Sequence, residues 1–133
     1  MTTVLIVEDN EDNLLIFSTI LTVRGGLEVK STEDVEEVLR IASQGEADLI
    51  LMDIALPQST YQGERVDGVK ITQILKSNPA TANIPVMLVS AHAIESYRQK
   101  FLQESGADDY VIKPIEDQME FVHRVKNLAL KSS

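Results

Sequence analysis

The sequence has no cysteine, no hydrophobic run long enough to cross a bilayer, and no cluster of basic residues. Without cysteine, the protein has no disulfide bonds, thiolate catalysis or cysteine-ligated metal sites. A transmembrane helix needs about 20 consecutive apolar residues, and a secretory signal begins with a basic segment. Neither pattern occurs, so we expect a cytoplasmic protein that does not insert into a membrane.

Positive charge is scarce overall. The chain has 12 Lys and Arg against 21 Asp and Glu, which gives a formal net charge of −9 at pH 7. Contacts to a nucleic-acid backbone need clustered Lys and Arg, so this composition argues against a nucleic-acid partner. A well-solvated surface is sufficient to explain the acidity.

Strand and helix patterns alternate along the chain. Short apolar runs predict strands at residues 3–8, 27–31, 48–53, 85–90 and 109–112. Helical periodicity predicts helices at 11–24, between a capping box at 31–34 and Gly45, between Gly68 and Pro79, between Ile94 and Gly106, and around 121–129. This (βα)5 order predicts an α/β fold with a parallel sheet covered on both faces.

The strand–helix units use the sequence from end to end. A chain of 133 residues is long enough for one domain with its own core. We therefore predict a single domain at residues 1–133 without an effector domain, so that any signal passes to a partner in trans.

One predicted connection is long. Residues 57–66 read PQSTYQGERV, which is polar, contains a glycine and has no periodicity, so an irregular surface loop is predicted. Loops of this length inside compact domains are usually functional or mobile.

Polar residues follow four of the predicted strands. The set is Glu8 and Asp9 after the first strand, Asp53 at the end of the third, Ser90 at the end of the fourth, and Lys113 after the fifth. In a parallel sheet these strand ends lie at one edge, where open α/β folds bind their ligands.

This set of residues suits phosphoryl transfer. Three neighbouring carboxylates repel one another unless positive charge is present, and oxygen ligands without His or Cys favour Mg²⁺. Asp53 would be the nucleophile and carry an aspartyl-phosphate. Ser90 would donate a hydrogen bond to the phosphoryl group, and Lys113 would pair with it.

Each residue alone also has a structural explanation. Glu8 and Asp9 suit the start of a helix, where acidic groups favour the helix dipole. Asp53 could cap a turn, Ser90 could simply end a strand, and Lys113 could belong to an ordinary turn. Their joint occurrence at the ends of four strands favours function.

Four motifs, in their order and spacing, resemble the receiver domains of two-component response regulators. They are VLIVEDN at 4–10, LMDIALP at 51–57, VSA at 89–91 and GADDYVIKP at 106–114. The resemblance covers essentially the whole chain and implies a flavodoxin-like, doubly wound five-stranded sheet of order 2-1-3-4-5. It also implies a cis peptide bond at Lys113–Pro114.

The same resemblance implies roles for the site residues. Asp53 would be the phosphoacceptor, while Asp9, Asp53 and the backbone carbonyl of Ala55 would bind Mg²⁺. Glu8 would act on the ion through water.

A conformational switch and a set of partners are implied as well. Ser90 and Tyr110 match the hydroxyl and the aromatic residue of the family's switch. A histidine kinase or histidine phosphotransfer protein would supply the phosphate, and a downstream target protein would receive the signal. Such a receiver is not classed as an enzyme.

The chain departs from the family pattern after Pro57. Family members usually reach the Asp-Gly pair in two or three residues, whereas nine residues, 58–66, precede Asp67 here. We expect this insertion at the rim beside Asp53, with Tyr61 and Arg65 as candidate contacts for a partner. A passive insertion is equally compatible with the sequence, because long surface loops are tolerated at small thermodynamic cost.

Three other functions compete with this one. A phosphohydrolase of the haloacid dehalogenase type would need a second aspartate two residues after the nucleophile, where Ala55 stands. A flavin-binding module would need a phosphate-binding loop where EDNED, at 8–12, would repel a phosphate. A receiver-like interaction module that is never phosphorylated stays open.

Overall fold

The computed structural model describes residues 2–57 and 59–131. Its strands are β1 (Thr3–Val7), β2 (Glu28–Ser31), β3 (Leu49–Asp53), β4 (Thr60–Tyr61), β5 (Glu64–Arg65), β6 (Val86–Ser90) and β7 (Asp109–Ile112). Its helices are α1 (Glu11–Thr19, continued by a π-helical turn at Ile20–Arg24), α2 (Val35–Ser43), α3 (Gly68–Ser77), α4 (Glu95–Ser105) and α5 (Gln118–Lys131). None of these helices combines the length and the apolar character needed to span a membrane.

Five of the strands form one parallel sheet. Their spatial order is β2-β1-β3-β6-β7, while β4 and β5 pair only with each other. Counting the sheet strands alone, this is the predicted order 2-1-3-4-5. Each strand of the sheet also lies within one residue of its predicted bounds, so the predicted fold is confirmed.

Helices bury both faces of the sheet. Strands β1, β3 and β6 are buried along their whole length. Alternate side chains point to opposite faces, so Leu5 and Ile50 join the core layer of α2 and α3, whereas Ile6 and Leu51 join that of α1 and α5. Burying each of these side chains contributes about 1.5–3 kcal/mol. The continuous apolar runs in the sequence follow from this two-sided burial.

Four helices begin with a side chain that accepts a hydrogen bond from a backbone N–H of the first turn. Asn10 caps α1, Asp34 caps α2, Asp67 caps α3 and Asp117 caps α5. The predicted capping box starting at Ser31 is wrong, because Ser31 is still paired with Ile6 in the sheet.

The end of α1 also differs from a regular helix. The predicted extent, to Arg24, is correct, but the last turn is π-helical, and the N–H of Gly25 donates to the carbonyl of Ile20 at 3.3 Å. Gly26, with a φ of 64°, then takes the left-handed conformation expected after the helix.

Residues 59–66 form a β-hairpin, so the prediction of an irregular loop is wrong for this segment. Thr60 lies opposite Arg65, and the two turn residues, Gln62 and Gly63, both have positive φ, at 53° and 81°. A turn of this kind matches the right-handed twist of two paired strands. The turn therefore produces a regular hairpin although the sequence of the segment has no apolar periodicity. Gln58, where the predicted insertion starts, lies outside the described residues.

Gly68 opens α3 directly against the end of β3. Its N–H donates to the carbonyl of Ile54 at 3.0 Å. A Cβ at this position would overlap the backbone carbonyl of Asp53. Glycine therefore allows the first turn of α3 to touch the strand end that carries Asp53.

We predict that Gly68→Ala lowers the free energy of unfolding by about 2–3 kcal/mol, because backbone must shift to admit the methyl group. Gly63→Ala is the control. Unlike Gly68, it has a positive φ, but no atom lies within 4 Å of the added carbon, so backbone strain alone should cost about 1 kcal/mol. Urea unfolding measures both values. Equal losses in the two variants would contradict the steric explanation.

Candidate active site

The topology brings the predicted site residues together at the carboxyl edge of the sheet. Glu8 and Asp9 follow β1, and Asp53 ends the neighbouring β3. Carboxylate oxygens of these three residues all lie within 4.8 Å of one another. Glu8 and Asp53 are buried, and Asp9 is half-buried. Because Asn10 caps α1, neither Glu8 nor Asp9 is used as its cap.

Lys113 provides the positive charge of the cluster. It follows β7, and its Nζ lies 3.2 Å from Oδ2 of Asp53 and 3.8 Å from Oε2 of Glu8. The Lys113–Pro114 peptide bond is cis, as the family resemblance implied. Among the described residues, one ammonium group thus pairs with two carboxylates of a cluster of three, which leaves an excess of negative charge.

Glu8 carries most of this electrostatic strain. Its Oε1 accepts a hydrogen bond from the N–H of Asn10 at 3.2 Å. Among the described residues, its Oε2 is buried without a hydrogen bond and lies 3.8 Å from Nζ of Lys113. Burial, with the neighbouring Asp53 carboxylate as the next cause, raises the pKa of Glu8 to about 7, although Asn10 and Lys113 act in the opposite direction.

The cluster fits a divalent cation. A buried carboxylate oxygen without a hydrogen bond is available to a cation. The ligand atoms that this cluster offers are all carboxylate oxygens, which favours Mg²⁺ over softer metals. Asp9 and Asp53 offer further carboxylate oxygens. The residues present therefore suit the predicted magnesium ion.

Asp53 is held from two sides. Its Oδ1 accepts a hydrogen bond from the N–H of Ala55 at 3.1 Å, and its Oδ2 faces Lys113. The turn-capping role considered for Asp53 is thus present in part, but it uses only one oxygen. Ala55 itself is exposed at the rim of the site.

Ser90 and Tyr110 meet through the backbone of His92. Oγ of Ser90 accepts a hydrogen bond from the N–H of His92 at 3.0 Å, and the hydroxyl of Tyr110 donates to the carbonyl of His92 at 2.8 Å. The Tyr110 ring is buried and stacks on Phe101, with ring centroids 6.3 Å apart. The Tyr110 ring is thus held in the interior by its stack on Phe101 and its hydrogen bond to His92.

The structure gives Tyr61 and Arg65 contacts within the chain. Tyr61 packs against the core layer that contains α2 and α3. The guanidinium group of Arg65 donates to the carbonyl of Pro57 at 2.6 Å. Their role as partner contacts stays a prediction. The sequence reasoning missed Gly68 and His92, although the glycine after the capping Asp67 was a usable signal.

A family model described as the response regulator receiver domain matches residues 4–126. The chain belongs to the response regulator receiver domain family. A curated relative, the polar-differentiation response regulator DivK of Brucella anthropi, is 36% identical over 112 residues, which are 84% of each protein. The protein of the same name from Brucella ovis matches with the same identity and coverage. This receiver domain is thus one of two-component signalling.

Solved receiver structures share the whole fold. A response regulator from Chloroflexus aurantiacus has a TM-score of 0.81 and 27% identity, covering 97% of this receiver and 98% of that chain. The receiver domain of the sensor histidine kinase PA1611 from Pseudomonas aeruginosa has a TM-score of 0.78 and 26% identity, covering 96% and 97%. That structure has a magnesium ion coordinated in its active-site cleft.

We predict that the metal-free receiver loses stability as pH rises from about 4.5 to about 7. The folded state binds the Glu8 proton more tightly than the unfolded chain, so folding is favoured below this range and penalised above it. The shift corresponds to about 3 kcal/mol at pH 8. Glu8→Gln should remove this part of the pH dependence and be more stable than wild type at pH 8.

Urea unfolding of both proteins in chelator, at pH 5 and pH 8, measures the difference. Added Mg²⁺ should stabilise the wild-type receiver more at pH 8 than at pH 5, since protons compete with the ion for the site. The same pH slope in Glu8→Gln as in wild type would rule out Glu8 as the titrating group.

Proposed function

We propose that this receiver accepts a phosphoryl group on Asp53 from a phosphohistidine and signals by binding a target protein in trans. The observation that carries the proposal is the surrounding of Asp53. Its carboxylate is buried at the carboxyl edge of the sheet, between one lysine and two further carboxylates. A histidine kinase or histidine phosphotransfer protein would be the donor.

In the proposed reaction, an oxygen of Asp53 attacks the phosphorus of the donor. An O–P bond forms while the P–N bond to the donor histidine breaks, and the imidazole nitrogen keeps the electron pair. Lys113 lies close enough to Asp53 to pair with a phosphoryl oxygen after transfer. A bound Mg²⁺ would supply the charge that offsets repulsion between the acidic cluster and the phosphoryl group.

The residues that would hold the ion are those of the predicted set. Asp9 and Asp53 would provide carboxylate oxygens, Ala55 its backbone carbonyl, and Glu8 would act through water. In support, the carbonyl of Ala55 accepts no hydrogen bond among the described residues. An exposed carbonyl without a donor is available to a ligand.

Ser90 would read the phosphorylation state. Its oxygen already accepts from His92, so its own hydroxyl hydrogen is available to donate to the phosphoryl group. A pull on Ser90 would reach Tyr110 through the backbone of His92, which both side chains contact. Phosphorylation would thereby change how firmly the buried ring of Tyr110 is held.

The competing functions have less support. Ala55 stands where a phosphohydrolase of the haloacid dehalogenase type needs its second aspartate, so we propose that the receiver is not an enzyme in its own right. The single-domain organisation and the cytoplasmic location remain predictions.

We predict that Asp53→Asn abolishes phosphorylation while the fold is retained, since amide and carboxylate have nearly the same shape. Wild-type protein incubated with Mg²⁺ and acetyl phosphate should gain one acid-stable, base-labile phosphate by mass spectrometry. Phosphate on Glu8 or Asp9 in the wild-type protein would refute the assignment.

We predict that Ser90→Ala still accepts phosphate but transmits no change to Tyr110. Ser105→Ala is a matched control, because Ser105 is also buried and its Oγ accepts from the N–H of Ala107 at 3.0 Å. On phosphorylation, the Tyr110 ring signals in NMR spectra should shift in wild type and in Ser105→Ala. A full shift in Ser90→Ala would show that the signal bypasses Ser90.

A further inference from the structure

Residues 54–57 link β3 to the inserted hairpin, and three of their four backbone carbonyls accept a hydrogen bond from a described residue. The carbonyl of Ile54 accepts from the N–H of Gly68 at 3.0 Å, and that of Leu56 from the N–H of Ser59 at 3.4 Å. The carbonyl of Pro57 accepts from the guanidinium group of Arg65 at 2.6 Å. Among the described residues, the carbonyl of Ala55 is left without a donor.

Two of these three donors belong to the insertion. Ser59 and Arg65 stand at opposite ends of the hairpin, which would not exist with the short connection usual in the family. In a flexible loop of this length, Pro57 would have no fixed donor, and the backbone at Ala55 would sample several orientations. The insertion therefore lengthens the connection after β3 and also restrains its backbone, through the hydrogen bonds of Ser59 and Arg65.

The hairpin is itself anchored to the body of the domain. Ser59 is buried, and its Oγ donates to the carbonyl of Glu33 at 3.1 Å, beside the start of α2. The N–H of Val66 donates to the carbonyl of Ser59 at 3.1 Å and closes the base of the hairpin. Tyr61 packs against the core layer of α2 and α3. Arg65 thus projects from a fixed support.

From these contacts we infer that the hairpin is a brace for the metal-binding loop, and that Arg65 is a positioning residue. By fixing the carbonyl of Pro57, Arg65 would limit the orientations of the backbone that carries the Ala55 carbonyl, a proposed ligand of the metal ion. The inference rests on the proposed function, because it concerns the same magnesium site.

Arg65 could also act through its charge alone. A substitution at Lys70 distinguishes this effect of charge from the effect of the hydrogen bond to Pro57. Lys70 carries the same charge and lines the same small cleft as Arg65, Val66 and Asp67. Its ammonium group makes no hydrogen bond or ion pair with the described residues. Lys70→Met therefore removes a charge near the site without removing a donor to the loop.

The test measures Mg²⁺ binding by isothermal titration calorimetry in wild type, Arg65→Met and Lys70→Met. Outer-shell partners of metal ligands typically contribute about 10–100-fold to affinity, and a more remote, exposed donor should contribute about threefold to tenfold. Arg65→Met should raise the Kd by that factor, whereas Lys70→Met should leave it unchanged. Arg65 is exposed, so the variant should fold, which urea unfolding verifies.

Two further readouts distinguish positioning from a general structural effect. The rate of phosphorylation by acetyl phosphate should need more Mg²⁺ in Arg65→Met but reach the wild-type plateau. Without metal, the amide hydrogen of Ala55, which donates to Asp53, should exchange faster in this variant. A lowered plateau with unchanged Mg²⁺ dependence would overturn the inference.

Failure of the inference and failure of the proposed function give different results. If the wild-type receiver neither binds Mg²⁺ nor takes phosphate on Asp53, the proposed function is wrong. If wild type does both and Arg65→Met binds Mg²⁺ equally well, the brace alone is wrong. A loss in Lys70→Met as large as that in Arg65→Met would assign the effect to charge and also overturn the brace.

Discussion

Repulsion among the carboxylates of Glu8, Asp9 and Asp53 is the constraint around which the site is built. Two unit charges within 4.8 Å of one another repel by at least about 3 kcal/mol at the effective dielectric of a protein surface. Lys113 offsets this cost mainly for Asp53, its nearer partner, and the raised pKa of Glu8 is the remaining strain. The fold tolerates this strain because β1 and β3, which carry the carboxylates, are buried on both faces.

The two ends of α4 are held by different contacts. α4 begins at Glu95, and Ile94 before it offers no side-chain cap. In its first turn, Tyr97 packs on the ring of His92, with ring centroids 4.8 Å apart. Its far end is tied to α3, where Nε2 of Gln73 donates to the carbonyl of Glu104 at 2.7 Å. In the proposed signalling path, a displacement of the Ser90–His92 turn would therefore reach α4 at its first turn.

The sheet was predictable because its signals are local, whereas the errors concern contacts that the sequence does not record. Strands buried on both faces leave continuous apolar runs, and parallel topology then places the site residues at one edge. The cap of α2 depends on where β2 ends. The sequence at 31–34 does not show which of its polar residues is the first one free of the sheet. Gly68 acts by approaching the backbone of Asp53, and His92 acts through its own backbone groups, which contact the side chains of Ser90 and Tyr110. The hairpin was not predicted because its first turn residue is Gln62, and glutamine rarely takes the positive φ that the turn needs.

The position of the hairpin explains how an insertion can lie beside this site without disturbing it. Because the bond between Val66 and Ser59 closes its base, the chain returns to the place where it left. Asp67 can therefore still cap α3, and Gly68 can still approach Asp53. Among the described residues of the insertion, Ser59 and Arg65 donate to the loop at Leu56 and Pro57. In the inferred brace these hydrogen bonds couple the insertion to the site, so a change at either one would alter the loop without altering the sheet.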